Sequence, residues 1–199
     1  MTLDDSHAQD QTVDAERRQF LVTGTCVMGG IAALCALTPL VASWLPSAKT
    51  LAKAAPVRVD LSALEPGQQI TVAWRGKPVW IIRRTSAMLE HLQENRAQLR
   101  DPDSLVAQQP VYAQNQHRSI NPLYLVLIGI CTHLGCVPKY KPNIAEFGAN
   151  WPGGFYCPCH GSSFDLAGRV FKGVPAPINL AVPPHRFISP HVLIIGEDP

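Results

Sequence analysis

The pattern of apolar and polar residues divides the 199-residue chain into three stretches of different character. No charged residue occurs between Arg18 and Lys49. Within that gap, Phe20 to Leu45 is a run of 26 residues, mostly Val, Leu, Ala and Gly, which predicts a helix able to cross a bilayer with some tilt. The apolar cores of secretory signals are shorter, about 7–15 residues. Trp44 stands where an interfacial aromatic belongs, and Gly24, Gly29 and Gly30 permit close helix approach. Cys26 and Cys35 read as small apolar residues of the span. Pro46 to Pro56 then reads P-S-A-K-T-L-A-K-A-A-P, small residues bounded by prolines, which predicts a linker whose form is not fixed. Fully extended, such a linker reaches roughly 35–40 Å.

Beyond residue 56, short apolar-alternating segments follow one another with turn residues between them, the signature of antiparallel strands. Val57–Asp60 is the first candidate strand. Gln69–Trp74 and Pro78–Arg84 form a hairpin around Arg75-Gly76-Lys77. Ser86 is placed to cap a short helix running to Glu94, with Glu90 near its first turn. Residues 102–122 are polar and irregular. Tyr124–Ile130 is strongly β-prone and delivers Cys131 at its end. Phe155-Tyr156 leads into Cys157, Gly168–Phe171 follows, and His191–Ile195 closes the sheet. The fold class is therefore an all-β antiparallel head at residues 57–199, with residues 131–172 as a subdomain at one tip, preceded by one N-terminal transmembrane helix at 20–45 and a hinge at 46–56.

Charge adds a direction to this picture. The net charge of +2 gives no case for nucleic-acid binding. It is unevenly spread: residues 1–19 hold Asp4, Asp5, Asp10, Asp14 and Glu16 against Arg17 and Arg18, leaving that end at −3 and the remainder near +5. Arg17-Arg18-Gln19-Phe20-Leu21 looks like a twin-arginine export signal, with Glu16 where Ser or Thr is usual. A simple positive-inside flank would give the same topology, an N-terminus on the cytoplasmic side. Ala52-Lys53-Ala54 resembles a processing site, but the length of the apolar run favours an uncleaved anchor.

The candidate chemistry lies in the tip. Four of the six cysteines fall with two histidines into two boxes, Cys131-Thr132-His133-Leu134-Gly135-Cys136 and Cys157-Pro158-Cys159-His160-Gly161-Ser162. Each box offers one Cys and one His to a metal centre, and the two spare thiols can bridge to each other. Two thiolates and two imidazoles also suit a structural zinc. Zinc fingers, however, usually pair Cys with Cys and His with His, whereas mixed boxes fit a [2Fe–2S] cluster in which two histidines replace two cysteines on one iron. The other histidines, His7, His91, His117, His185 and His191, have no such partner spacing.

At these motifs, C-T-H-L-G-C and C-P-C-H-G-S, the sequence resembles the Rieske family. The resemblance implies Cys131, His133, Cys157 and His160 as cluster ligands, and a Cys136–Cys159 disulfide clamping the two loops. That disulfide needs an oxidising compartment. The clamping pair points to the respiratory branch, since Rieske ferredoxins and ring-hydroxylating dioxygenases lack it. Mixed ligation raises the potential to about −150 to +300 mV, against about −400 mV for all-cysteine plant-type clusters. Reduction adds negative charge beside an imidazole ligand and so raises its pKa, which lets electron and proton be accepted together.

The resemblance extends along nearly the whole chain, to the iron–sulfur subunits of bacterial cytochrome bc complexes, ubiquinol–cytochrome c reductases. It implies an electron-transfer subunit that oxidises ubiquinol at the outer face of the bacterial inner membrane and passes the electron to a c-type cytochrome. Implied partners are cytochrome b and that cytochrome, in a dimeric complex, with the head in the periplasm. His160 would contact the quinol, His133 is the other exposed ligand, and Leu134 matches a position lining the quinol contact. Ser162 would donate to a bridging sulfide. Phe164 stands where high-potential members often carry Tyr, which implies a lower potential. Gly173-Val174-Pro175-Ala176-Pro177 resembles the family's proline-rich loop beside the cluster. Two rivals remain at this point, the small Rieske subunit of an arsenite oxidase and a non-redox zinc module.

Overall fold

A computed structural model describes residues 14–144, 146–148 and 151–199, apart from the side chain of Lys53. His7 and the acidic residues Asp4, Asp5 and Asp10 lie outside the described residues. The chain divides into two compact units, at Ala48 and Lys49.

The described residues of the first unit include one helix, α1 (Asp14–Ala42), of 29 residues. It takes in Asp14 and Glu16, whose charges favour the positive end of the helix dipole. It ends after Pro39, where Ser43 N still donates to Pro39 O. No residue of α1 is buried. Beyond Arg18 it carries no charge, and it is long and apolar enough to cross a membrane. Its hydroxyls are compatible with that: Thr25 and Thr38 Oγ1 each donate to the carbonyl four residues back at 2.8 Å, as polar groups in hydrocarbon must.

A second helix, α2 (Ala48–Ala54), occupies most of the expected linker. Among the described residues the head then carries nine strands in three antiparallel three-stranded sheets. The first sheet joins β1 (Val57–Asp60), β9 (Val192–Ile195) and β8 (His185–Ser189) in the order β1-β9-β8. The second runs β2 (Gln69–Trp74), β3 (Lys77–Arg83), β4 (Tyr124–Ile128). The third runs β5 (Lys139–Lys141), β6 (Gly154–Tyr156), β7 (Ser163–Phe164) and carries the tip.

Strand alternation makes the second sheet the middle layer. Val79, Ile81, Tyr124 and Val126 share a core with Val59, Leu193 and Ile195 of the first sheet. The intervening Trp80, Ile82, Leu125 and Leu127 face a different core, with Phe155, Phe164, Cys131 and Cys157. Successive residues of β3 and β4 thus serve opposite faces. The same pattern explains why Tyr124–Leu127 are buried throughout.

Several expected boundaries move for local reasons. The β2–β3 turn is Arg75-Gly76 alone, both with positive φ (51° and 72°), the two-residue turn that suits strand twist. Helix α3 (Ser86–Glu94) is capped not by Ser86 but by Thr85, whose Oγ1 accepts from Met88 N at 3.2 Å. β4 stops at Ile128 instead of Ile130, where the chain turns and Ile130 N donates to Ile128 O at 2.8 Å; Gly129 at the turn lies against the Trp80 indole, which a Cβ there would meet. Gly168–Phe171 is not a strand but makes only single bridges, Phe164 to Val170 and Leu99 to Phe171. The Asp165 side chain bends the chain just before, accepting from Ala167 N and Arg169 N. β5, β7 and β8 carried too little alternation to predict.

Candidate metal centre

The two boxes fold alike because their sequences place the same backbone demands five residues apart. In the first, Cys131 N donates to Cys136 O at 2.7 Å and Gly135 N to Cys131 O at 3.0 Å. In the second, Cys157 N donates to Ser162 O at 2.8 Å and Gly161 N to Cys157 O at 3.0 Å. Gly135 and Gly161 close the loops at φ of 83° and 76°, a conformation that side chains with a Cβ resist. Box two is therefore a structural copy of box one, with Ser162 at the position of Cys136. That repeat was readable in the spelling of the boxes, through their shared Gly, yet it became informative only with the hydrogen bonds.

Each loop presents a buried thiol below and an imidazole above. Cys131 and Cys157 are buried and unpaired by disulfides. His133 is half-buried and His160 exposed, and their rings meet edge to face with centroids 4.9 Å apart. Cys136 and Cys159 are joined as a disulfide that ties the loops together. The Cys157 sulfur lies within 4.8 Å of both bridging sulfurs, but those two are already bonded and cannot act as thiolate ligands. Two free sulfurs and two imidazoles remain, which is the donor set a mixed-ligand cluster takes.

The surroundings of Cys131 fit a positively charged centre. Burial pushes its thiol pKa up and the neighbouring Cys157 adds to this, whereas the His133 backbone N–H and the Ser162 side chain favour the thiolate. Donors aimed at buried sulfur have a purpose when iron supplies the missing positive charge. Ser162 is fully buried, and its Oγ accepts from Ala176 N at 3.0 Å, leaving its own hydrogen free to point at sulfur.

The proline-rich loop is pinned at three points. Ala176 N meets Ser162 Oγ, Thr132 Oγ1 donates to Ile178 O at 2.6 Å, and Arg100 Nη2 donates to Val174 O at 3.3 Å. Sequence reasoning did not find Thr132 or Arg100, because their partners are backbone carbonyls more than 40 residues away. The outer rim is apolar and open: Leu134 is 70% exposed and Val137 55%. Phe164 is fully buried in the core that holds Cys131 and Cys157.

Fold and site together define a mixed Cys/His iron–sulfur protein, with an antiparallel β-layered head and a clamped two-loop tip. Residues 57–184 match the family described as "Rieske [2Fe-2S] domain", and residues 7–47 match "Ubiquitinol-cytochrome C reductase Fe-S subunit TAT signal". The ubiquinol–cytochrome c reductase iron–sulfur subunit of Allochromatium vinosum is 54% identical over 94% of this chain and 92% of its own. The protein of the same name from Bradyrhizobium diazoefficiens is 43% identical over 90% and 94%. A solved chain of a hyperthermophilic respiratory complex III aligns with 86% of this chain and 98% of its own, at 26% identity and a TM-score of 0.49. The chain belongs to the Rieske family of ubiquinol–cytochrome c reductase iron–sulfur subunits, and it carries a [2Fe–2S] cluster of that type.

Proposed function

We propose that this protein is the subunit that takes one electron, together with a proton, from ubiquinol and hands the electron to a membrane-bound c-type cytochrome. Cys131, Cys157, His133 and His160 would hold the cluster. The observation that carries the reading is the division of the tip: sulfur donors buried within the core, imidazoles at the surface 4.9 Å apart. When bound, the cluster supplies a one-electron acceptor at raised potential.

The residues do the rest. The exposed His160 imidazole offers a nitrogen to a quinol hydroxyl and can hold its proton. Leu134, standing open beside it, gives the quinol ring and a hydrophobic docking crevice an apolar face. The Cys136–Cys159 bond and the pinned proline loop keep water from the sulfur side. Cytochrome b is the implied neighbour of this apolar tip, and the assembly is a dimer of bc complexes. Arg17 and Arg18 keep the N-terminus of α1 in the cytoplasm, so the head lies in the periplasm, where the disulfide persists. The arsenite oxidase alternative is not favoured, since the relatives carry the name ubiquinol–cytochrome c reductase iron–sulfur subunit.

EPR of the reduced protein in native membranes tests this. A mixed-ligand cluster gives a low average g-value, and a quinol-site inhibitor shifts the spectrum. Silence in the reduced protein, or loss of no signal in Cys157→Ser, would remove the ligand assignment; a spectrum indifferent to quinone would remove quinol as the substrate.

A further inference from the structure

Around the turn that follows box two lie three of the largest fully buried side chains among the described residues, and all three are arginines: Arg84, Arg118 and Arg169. Each comes from a different segment, the end of β3, the irregular stretch 102–122, and the turn after β7. Among the described residues only one buried carboxylate answers them. Asp165 takes Arg169 in an ion pair at 2.7 Å and spends its other oxygen on backbone N–H groups. Arg84 is satisfied by neutral acceptors: Pro122 O, His117 O, Leu166 O and Ser119 Oγ. Arg118 bonds Ala167 O, Gly168 O and Gln109 Oε1, and its Nε has no partner among the described residues. Asp165 also offsets Arg84 and Arg118 in part, and the half-buried Asp101 adds a smaller offset at Arg118. An excess of positive charge is therefore fixed in the interior.

We infer that Arg84 and Arg118 act as a cationic platform that raises the midpoint potential of the cluster, by favouring the reduced form over the oxidised one. The inference rests on the reading that Cys131 and Cys157 hold the iron. Reduction adds one negative charge at the cluster, and a fixed cation in low dielectric stabilises it. One apolar core adjoins both. Arg118 Nη1 lies 3.2 Å from the Cβ position of Gly168, against which Leu127 also packs, and Leu127 shares one core with Cys131 and Cys157. Burial lowers the guanidinium pKa values, to about 9 for Arg84 and about 10 for Arg118, so both stay charged at neutral pH. The same guanidinium groups also satisfy backbone carbonyls, so the electrostatic role is read from the potential and not from stability.

The test uses the full-length protein in native membranes, with an EPR-monitored redox titration. Arg118→Gln removes the charge, and Gln109→Glu, nearly isosteric, neutralises it in place. Both are expected to lower the midpoint potential, so that at the wild-type midpoint the ratio of reduced to oxidised cluster falls several-fold, with g-values unchanged. Arg118→Lys keeps the charge and most of the potential. Gln109→Met, which loses the same amide without adding charge, and Lys172→Gln, an exposed cation, are expected to shift nothing. Should Arg118→Gln not accumulate, Gln109→Glu decides alone. Wild-type potentials in the charge-changing variants, with intact spectra, overturn the inference. Absence of the wild-type spectrum instead overturns the ligand reading beneath it.

Discussion

Replacing Arg169 by Met is the sharpest perturbation of the turn that follows box two. Arg169 Nε and Nη2 both reach Asp165 Oδ2 at 2.7 Å, and the pair is all but sealed from solvent. The same guanidinium also donates to Leu92 O and Pro102 O, tying α3 and the loop after residue 101 to the tip. Arg169→Met leaves the carboxylate buried with only its two backbone donors and strands two carbonyls. Breaking one side of a buried pair costs about 3–5 kcal/mol. In a protein of this size each kcal/mol moves Tm by about 2–4 °C, so a fall of roughly 6–20 °C is expected in thermal scans of the detergent-solubilised chain. Asp165→Asn added to Arg169→Met removes the stranded charge while keeping Oδ1 for the turn, and should recover a large part of the loss. A single-variant fall below about 3 °C, or a double variant no better than the single, would refute the claim that charge compensation holds this turn.

Other expectations are more local. Phe164→Tyr, which restores the hydroxyl common in high-potential relatives, should raise the midpoint potential; an unchanged titration defeats that expectation. Gly129→Ala forces a methyl against the Trp80 indole, whose ring stacks on Phe155 at 5.2 Å, and should cost about 1–3 kcal/mol of stability by overpacking. Removing the Cys136–Cys159 bond, which closes 23 residues, should destabilise the unliganded head by about 3 kcal/mol on loop entropy, measurable by denaturant titration. His185 is fully buried and burial lowers its pKa. Its unfolded state therefore binds a proton first, so stability is lost as pH falls below the ordinary value of about 6.5. His185→Asn, whose amide can still donate to Pro183 O, should flatten that loss between pH 7 and 5.

Much of the molecule was legible because its signals are local. An uncharged run of 26 residues needs only hydropathy to read. β1 and β2 followed from alternation alone, and their observed spans are the expected ones. The boxes announced their chemistry because iron needs sulfur and nitrogen at short spacing. Even the shared Gly135 and Gly161 stood in plain view. What the sequence determined by itself was thus the set of donors and the class of fold.

The tertiary structure decided how those donors are used. Which residues of β3 and β4 serve the cluster core and which the outer sheet depends on layers on both faces, and a strand buried on both sides shows no alternation. Thr85 displaced Ser86 as the cap because the last residue before a helix is fixed by backbone geometry. Arg118 lay in a stretch read as polar and irregular, Arg84 at the end of one expected strand and Arg169 within another expected segment. Their burial arises from carbonyls contributed by segments up to 82 residues away, and no local pattern encodes a contact of that range. A charge becomes an internal electrostatic device only when distant backbone closes around it, and that closure belongs to the fold as a whole.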